Sequence, residues 1–297
     1  MNPFLGHHSS TPILQYSKIR RGSSMIDQHT VLYAVVGWPI GHSLSPVMHN
    51  AAFAAGGINA VYLAFAVRDI AGCMAAIRAL GVRGLSVTIP HKSAVIPHLD
   101  DLDERAREIG AVNTVVNRDG RLIGYNTDAA GALKALEERI SLAGRRCLIL
   151  GAGGAARAIG FALRDKVATI TVANRSPDRG RALAQSLGCS FISLDELKGV
   201  QADLLIQATP VGMAPENRAS PISEQILTEG MAVMDIIYNP LETKLLATAR
   251  SRGCVTITGL SMFIHQGAEQ FRLWTGEEPP IQAMTRAVLE ALSPEER

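Results

Sequence analysis

Two kinds of apolar pattern alternate along the chain. Short continuous apolar runs, which are typical of buried strands, are separated by stretches in which apolar residues recur every three or four positions, as in amphipathic helices. In the first part of the chain the strand-like runs lie at 32–37, 61–67 and 84–88, and the helical patterns lie at 46–55 and 69–80. Strands that alternate with helices predict βαβ units and a largely parallel sheet.

Two features close this first series near Asp128. Asp119-Gly120 stands between two β-like runs and predicts a tight hairpin. Residues 127–140 have helical spacing and predict a helix that links the first series to a second one.

The second series follows the linking helix. It has five strand-like runs with helical segments between them, and helical periodicity returns from Ser261 toward the end of the chain. We therefore predict an α/β fold with two units in series. The runs are CLILG, TITVAN, LLIQAT, AVMDIIY and VTITG, and the helical segments include 155–164, 177–187 and 243–252.

Composition places the chain among ordinary globular proteins and excludes several kinds of partner. The 297 residues are 47% apolar and 19% charged, which lies outside the disordered and collagen-like classes. The formal net charge is +2 and no basic run is denser than Arg20-Arg21, so neither nucleic acid nor an anionic membrane is an expected partner. The longest uncharged run, 28–67, is interrupted by Pro39 and Pro46, so we predict a soluble protein without a membrane-spanning helix. An anionic small-molecule ligand would need locally placed cations.

The cysteines and the N-terminal residues bear on the compartment. The four cysteines have no CxxC or Cys/His metal-ligand spacing and lie in or beside apolar segments, so we predict reduced core thiols in the cytoplasm and no metal site. The first 26 residues lack Asp and Glu and are only faintly similar to a transit peptide, and we interpret residues 1–29 as a disordered extension. Met25 stands just before the first strand, and a further hypothesis is that translation starts there.

A glycine-rich turn follows the first strand of the second series. The run 148–150 leads into Gly151-Ala152-Gly153-Gly154-Ala155-Ala156, which is the G-x-G-x-x-A form of the dinucleotide fingerprint. Gly151 suits the tight turn, and Gly153 lets the backbone approach a pyrophosphate that the helix N-terminus attracts. Such turns can also be purely structural, but the flanking strands and helix favour a cofactor site. Its predicted residues are Gly151, Ala152, Gly153, Gly154 and Ala155.

The end of the next strand indicates which dinucleotide is bound. An NAD site places an acidic residue about 20 residues after the first glycine, where it binds the ribose 2′-hydroxyl. This chain instead has Asn174, Arg175 and Ser176 there, followed by Arg179 in the first turn of a helix that Ser176 is predicted to cap. Arg175 can bind a 2′-phosphate bidentately and Asn174 can donate to it, whereas a solvated role for Arg179 stays open. We therefore predict NADP, held by these four residues.

Polar residues also follow the strands of the first series, where open α/β sheets bind ligands. Ser43 and Ser45 lie in the loop after the first strand, and two hydroxyls two positions apart can both donate to a carboxylate. Ser45 can alternatively cap the helix that begins with Pro46. Lys92 follows the third strand near a predicted helix start, where a cation opposes the helix dipole, and its alternative role is that of a free surface lysine.

Seven motifs follow one another from Val36 to just beyond Gln266. They are VVGWPIGHSLSP, LSVTIPHK, GAVNT, GYNTD, GAGGAAR, ANRS and GLSMFIHQGAEQF. Together and in this order they resemble the shikimate dehydrogenase family. The resemblance implies NADPH-dependent reduction of 3-dehydroshikimate to shikimate, on the pathway through chorismate to the aromatic amino acids.

The resemblance also implies roles for individual residues. Lys92 matches the catalytic residue, which protonates the carbonyl oxygen during reduction and acts as the base during oxidation, and Asp128 matches its partner. Ser43 and Ser45 match residues that hold the substrate carboxylate. The remaining matches are Asn113, Thr88, Gln266 and Tyr238 on the substrate side, and Ile236 and Gly259 on the nicotinamide side.

Several of these assignments have structural alternatives. Asn113 and Thr88 can serve in turn or strand-end hydrogen bonds, and Gln266 can be an amide on a helix surface. At the level of the whole protein, the alternatives are a quinate/shikimate dehydrogenase with relaxed specificity and a regulatory NADP-binding module without catalysis. The presence of both Lys92 and Asp128 argues against the regulatory module.

The domain organisation is predicted from the same pattern. Residues 30–128 together with 265–297 are expected to form an α/β substrate-binding domain, and residues 129–264 a Rossmann-type NADP-binding domain. The active site is expected in the cleft between them, which domain closure would narrow. The protein is expected to be a monomer or a homodimer that binds small molecules.

Overall fold

The computed structural model describes residues 26–293, which form two six-stranded sheets covered by helices. Most of the predicted N-terminal extension, with Met25, lies outside the described residues. Within residues 26–293 no helix is both long and apolar enough to cross a membrane. The α/β fold with two units in series is confirmed.

The first sheet is mixed rather than parallel throughout. Strands β1, β2 and β3 pair in parallel, whereas β5 is antiparallel to both β3 and β6, and the strand order is β2-β1-β3-β5-β6-β4. The predicted hairpin joins β5 and β6, with φ of 52° at Asp119 and 91° at Gly120, as a two-residue turn requires. The strands are β1 Val31–Gly37, β2 Ala60–Ala66, β3 Gly84–Val87, β4 Asp101–Leu102, β5 Thr114–Arg118 and β6 Arg121–Tyr125.

The second sheet is parallel throughout, in the order β12-β11-β10-β7-β8-β9. All five predicted strands are present. The sequence pattern missed β9, because this edge strand is only partly buried and has serine at both ends. The strands are β7 Arg146–Leu150, β8 Thr169–Asn174, β9 Ser190–Ser193, β10 Leu204–Gln207, β11 Ala232–Asp235 and β12 Val255–Ile257.

Nine α-helices and three short 3-10 helices connect the strands in the described part of the chain. The α-helices are α1 Ser45–Gly56, α2 Ile70–Ala79, α3 Glu104–Ile109, α4 Thr127–Glu137, α5 Gly154–Leu163, α6 Pro177–Leu187, α7 Lys244–Ser251, α8 Gly259–Thr275 and α9 Ile281–Leu292. The 3-10 helices are Ile96–His98, Leu194–Glu196 and Glu224–Ile226.

Two predicted helix caps differ from the structure. Helix α1 already includes Ser45, and its N-cap position is Leu44, so the prediction that Ser45 caps this helix is wrong. The side chain of Ser45 is buried and contacts the hydroxyl of Tyr62 instead. Ser176 does occupy the N-cap position of α6 before Pro177, but its side chain makes no capping hydrogen bond.

A pair of packed helices joins the two sheets. Helix α4 runs through position 128 and helix α8 through position 264, where the sequence pattern places its domain boundaries. Met262 of α8 packs into the core under the second sheet, whereas Phe263 and Phe271 pack into the core of the first sheet. A Cβ atom on Gly131 of α4 would lie 2.8 Å from the backbone nitrogen of Gln266, so the close approach of the two helices requires glycine there.

Candidate active site

Lys92 and Asp128 form the most buried ion pair of the described residues. Lys92 Nζ lies 2.5 Å from Asp128 Oδ2, and the two side chains are 16% and 8% exposed. Asp128 belongs to the first turn of α4, where the helix dipole favours a carboxylate. A lysine and an aspartate 36 positions apart are thus held together with little contact to water.

The backbone around Lys92 is not helical as predicted. Residues 92–95 form turns, and only the short 3-10 helix Ile96–His98 follows. Pro97 has no N–H to continue an α-helix begun at Lys92, which explains the difference. The turn is instead fixed by the carbonyl of Lys92, which accepts a hydrogen bond from the backbone of Val112 at 2.7 Å.

Lys92 faces the second sheet. A Cβ atom added to Gly154, in the first turn of α5, would lie 3.1 Å from Lys92 Cδ. The lysine therefore lies beside the glycine-rich turn. Lys92 belongs to the first unit and Gly154 to the second, so the two residues face each other across the cleft between the units. A free surface position for Lys92, the alternative considered from sequence, is excluded by its burial.

The remaining substrate-side residues meet at one edge of the first sheet. The backbone of Thr88 donates to Val36 at the end of β1, and Val87 donates to the carbonyl of Asn113 at the start of β5. The loops after β1 and β3, which carry Ser43 and Thr88, therefore emerge beside Asn113. Because Ser45 N donates to Ser43 Oγ at 3.3 Å, these two serines are also in contact.

Asn113 is the centre of the polar groups at this edge. Its Nδ2 donates to Asp128 Oδ1 at 2.9 Å and to Thr127 Oγ1 at 2.9 Å, and its Oδ1 accepts from the backbone of Thr127 at 2.7 Å. Thr127 is not among the site residues predicted from sequence, although it stands beside Asp128 in GYNTD and opens α4. Its position at the start of a helix, directly after a strand, was the available signal.

Gln266 and Tyr238 approach the site from α8 and from the loop after β11. Gln266 is buried, its Oε1 lies 3.5 Å from Asn113 Nδ2, and its Nε2 donates to the carbonyl of Phe263 at 2.9 Å. The alternative of a helix-surface amide is therefore wrong for Gln266. The ring of Tyr238 stacks on Phe263 at 4.3 Å between centroids, and burial raises the pKa of its phenol, which stays protonated.

The glycine-rich turn has the geometry that its sequence predicts. Gly151 has a φ of 113°, and a Cβ atom there would lie 2.8 Å from the carbonyl oxygen of Ala208, so only glycine fits. Gly153 is the N-cap of α5 and provides no side-chain cap, and a Cβ atom there would meet nothing within 4 Å. There is thus open space beside Gly153 at a helix N-terminus without a side-chain cap, which fits the pyrophosphate of a dinucleotide.

The turn after β8 adds two cations to this surface. Arg175 and Arg179 are exposed, and neither makes a side-chain hydrogen bond or an ion pair within residues 26–293. Asn174 uses one of its two amide donors on the carbonyl of Ser176, at 2.8 Å. Two guanidinium groups free of carboxylates suit the additional phosphate that distinguishes NADP from NAD.

A buried carboxylate supports the loop that carries Ile236. Asp235 is fully buried, and its oxygens accept from the backbone of Ile237 at 3.0 Å and from Thr243 Oγ1 at 2.7 Å. Burial without a cation raises the pKa of Asp235 to about 6. A Cβ atom on Gly259 would lie 2.4 Å from the carbonyl of Ile236, so this glycine allows α8 to start against the same loop.

Other groups in the described part of the chain add little to the site. Residues 26–293 contain no cluster of three or more His, Cys, Asp or Glu side chains placed to hold a metal ion. All four cysteines are free, but only Cys147 is buried, so the prediction of core thiols is wrong for Cys73, Cys189 and Cys254, which pack at the edges of the cores.

A parallel sheet with a dinucleotide turn, set against a buried lysine–aspartate pair, defines a nucleotide-dependent oxidoreductase of the α/β class. The family models that match the chain are more specific. A model described as the shikimate dehydrogenase substrate binding domain matches residues 35–115, one described as shikimate / quinate 5-dehydrogenase matches 132–236, and one described as the shikimate 5'-dehydrogenase C-terminal domain matches 259–289.

Individual relatives agree with these matches. The chain is 50% identical to the shikimate dehydrogenase (NADP(+)) of Thermococcus kodakarensis over an alignment of 276 residues. This alignment covers 91% of this chain and 100% of that protein. A shikimate dehydrogenase whose crystal structure is in complex with NADP+ is 44% identical in sequence and superposes with a TM-score of 0.87. The match covers 91% of this chain and 98% of that one. The Thermus thermophilus enzyme, in complex with NADP(H) and shikimate, is 41% identical, with a TM-score of 0.82 and coverage of 89% and 100%. The chain belongs to the shikimate dehydrogenase family.

Proposed function

We propose that this protein catalyses the reversible, NADPH-dependent reduction of 3-dehydroshikimate to shikimate, a step on the route through chorismate to the aromatic amino acids. The observation that carries the proposal is the buried Lys92–Asp128 pair, which lies beside the glycine-rich turn at the start of α5. The names and bound ligands of the relatives support the same reaction.

Lys92 is the proton donor in this proposal. NADPH, when bound, supplies the hydride that the substrate carbonyl accepts. Lys92 protonates the oxygen that gains negative charge during reduction, and in the opposite direction it removes the proton from the hydroxyl. Asp128 holds the ammonium group in place through Oδ2 and is itself held by Asn113 through Oδ1.

The other polar residues bind and orient the two ligands. Ser43 and Ser45 are assigned to the substrate carboxylate, and the rest of the substrate is assigned to a group of amide, hydroxyl, phenol and charged side chains. This group consists of Asn113, Thr88, Gln266, Tyr238 and Asp128, together with Lys92. The cofactor is assigned to Gly151, Ala152, Gly153, Gly154 and Ala155 for the pyrophosphate, to Asn174, Arg175, Ser176 and Arg179 for the 2′-phosphate, and to Ile236 and Gly259 for the nicotinamide.

We assign the substrate-binding domain to residues 30–128 and 265–297 and the NADP-binding domain to residues 129–264. The mixed and the parallel sheet support this division, and the helix pair α4–α8 is the hinge region in it. Hydride transfer needs donor and acceptor within about 3.5 Å, so closure of the two domains is part of the proposal. The enzyme is proposed to work in the cytoplasm, as a monomer or a homodimer.

The test is a steady-state assay of shikimate and of quinate, each with NADP+ and with NAD+. The proposal expects the highest kcat/KM for shikimate with NADP+. Equal values for quinate would instead identify a quinate/shikimate dehydrogenase of relaxed specificity. If no cofactor is reduced with either substrate while NADP+ still binds, the protein is a binding module and the proposed reaction is wrong.

A further inference from the structure

A buried chain of hydrogen bonds runs from the core of the first sheet to the lysine. Tyr62 Oη donates to Ser86 Oγ at 2.6 Å, and Ser86 Oγ donates to Gln270 Oε1 at 3.0 Å. Gln270 Nε2 donates to Thr114 Oγ1 at 3.0 Å, and Thr114 Oγ1 donates to Asn113 Oδ1 at 2.9 Å. From Asn113 the chain continues to Asp128, whose other oxygen accepts from Lys92.

The direction of this chain is fixed at two points by groups with only one hydrogen-bonding role. The backbone N–H of Thr127 can only donate, so the Asn113 atom that it meets at 2.7 Å is the oxygen, and the nitrogen faces Asp128. The backbone carbonyl of Asn113 can only accept, so the Gln270 atom that meets it at 3.3 Å is the nitrogen. The Thr114 hydroxyl between them therefore accepts a hydrogen bond from Gln270 and donates one to Asn113.

The other end of the chain reaches the second group of substrate-side residues. The Tyr62 hydroxyl also contacts Ser45, one of the two serines assigned to the substrate carboxylate. Tyr62 is fully buried, and Gln270 is 1% exposed. The chain of hydrogen bonds therefore runs from Tyr62, which lies near Ser45, to the lysine end of the site.

Gln270 also accepts from a neutral histidine. His49 Nε2 lies 3.2 Å from Gln270 Oε1, and burial lowers the pKa of the imidazole to about 3, so the ring carries no charge. The amide oxygen thus receives donors from both α1 and β3, while its nitrogen holds β5. Because Gln270 belongs to α8, a helix near the C-terminal end of the polypeptide contributes to the hydrogen bonds around residue 113.

We propose that Gln270 is a positioning residue of the active site, which acts through Thr114 to hold the Asn113 amide with its nitrogen toward Asp128 and the substrate. The inference rests on the proposed function. An amide does not relay protons by a simple hop, so the role is orientation and not proton transfer. Without the donation from Thr114, the Asn113 oxygen keeps only the Thr127 contacts, and the amide rotates more freely.

The test compares three variants, Gln270→Met, Thr114→Val and Thr114→Ser, with the wild-type enzyme. Met matches the length of Gln and Val matches the shape of Thr, but neither keeps the hydrogen bonds, whereas Ser keeps the hydroxyl. We expect Gln270→Met and Thr114→Val each to raise the KM for shikimate about tenfold, with the KM for NADP+ within about twofold, and Thr114→Ser to resemble wild type.

A core variant and a double variant separate positioning from loss of stability. Met74→Ala, on α2, is the control, because it opens a cavity in a core cluster that contains no residue of the hydrogen-bonded chain. It should leave both KM values unchanged. The Gln270→Met/Thr114→Val double variant should be no worse than the poorer single variant, because both break the same chain.

Several outcomes would overturn the inference. These are an unchanged shikimate KM in Gln270→Met or Thr114→Val, equal increases for both ligands, or multiplied effects in the double variant. If Gln270→Met does not fold, the contrast between Thr114→Val and Thr114→Ser decides. An inactive wild-type enzyme would instead contradict the proposed function itself.

Discussion

The two sides of the cleft differ in how far their polar groups are satisfied. On the substrate side, Asp128 accepts from Lys92 and from Asn113, and the hydroxyls of Thr114 and Thr127 are hydrogen-bonded to Asn113. On the cofactor side, α5 has no side-chain cap, and Arg175 and Arg179 have no partner among the described residues. The ion pair and the groups around it are thus held by bonds within the protein, whereas the cofactor side presents donors and cations for an anion.

This difference matches what each ligand can contribute. A dinucleotide carries several negative charges, and helix N–H groups and arginines bind them strongly, so the protein need not supply partners of its own. Shikimate carries one carboxylate and several neutral hydroxyls, which are recognised by the direction of hydrogen bonds. A network that is ordered before binding supplies that direction without further loss of conformational entropy.

The largest expected effect tests the substrate side. Lys92→Ala removes the proposed proton donor, and we expect kcat for shikimate oxidation to fall about 100-fold or more while the KM for NADP+ changes little. Steady-state kinetics measure both values. Lys134→Ala, an exposed lysine on α4, is the matched control and should behave as wild type. An unchanged kcat in Lys92→Ala would remove this residue from the chemistry.

The second prediction contrasts two buried carboxylates. Asp128 pairs with Lys92, whereas Asp235 has no cationic partner among residues 26–293, and the native pKa of Asp235, about 6, exceeds the unfolded value of about 3.9. The native state therefore binds more protons than the unfolded state between these values, so the contribution of Asp235 to stability falls as the pH rises from about 4 to 6. Ionisation of Asp235 therefore lowers the free energy of unfolding by on the order of 3 kcal/mol, because the pKa differs by about two units and each unit corresponds to about 1.4 kcal/mol.

Asp235→Asn removes this titration. The free energy of unfolding of the variant relative to wild type should rise between pH 4 and pH 7 and stay constant above. Urea unfolding at a series of pH values measures the difference. A difference that does not depend on pH would show that Asp235 ionises normally in the native protein.

The third prediction tests the free cations of the cofactor side. Arg175→Asp replaces the cation assigned to the 2′-phosphate with a carboxylate, and loss of a charge-assisted hydrogen bond predicts a KM for NADP+ about 30-fold higher. The KM for NAD+ should not rise. Arg118→Asp, an equal change of charge on an exposed residue of β5, should alter neither value. Undiminished preference for NADP+ in Arg175→Asp would refute the 2′-phosphate assignment.

The smallest effect separates two glycines of the same turn. Gly153→Ala adds a methyl group into open space, so we expect stability within about 0.5 kcal/mol of wild type but a KM for NADP+ about tenfold higher. Gly151→Ala should instead lower stability by about 2 kcal/mol, because its φ is positive and the carbonyl of Ala208 is too close. Thermal unfolding and kinetics of both variants measure the contrast, and equal behaviour would contradict it.

The sequence predicts the local features of the fold well. Strand and helix order, the hairpin at Asp119-Gly120 and the turn at Gly151 follow from short patterns whose physical causes lie within a few residues. The motif resemblance also pairs Lys92 with Asp128, which the structure places in contact. The sequence places the start of α1 one residue too late. Ser45 therefore belongs to the first turn of the helix and is not its cap.

Features that depend on distant segments were not predictable in this way. Gln270 contacts Ser86 and Thr114, which lie more than 150 positions earlier in the chain, and its sequence neighbourhood is that of an ordinary amphipathic helix. The place of Thr127 in the site follows from its hydrogen bond with Asn113, from which it is separated in sequence by the hairpin of β5 and β6. The burial of Asp235 likewise follows from packing of the whole second sheet, not from its neighbours in sequence.

The most direct test of the central claim uses shikimate that carries deuterium at C3. The wild-type protein is mixed with this substrate and NADP+, and the position of the label is followed by NMR and mass spectrometry. If the cleft brings the two ligands together as proposed, the deuterium appears in the reduced nicotinamide and not in water. Release of the label to solvent, or its retention in the substrate with no NADPH formed, would contradict the account.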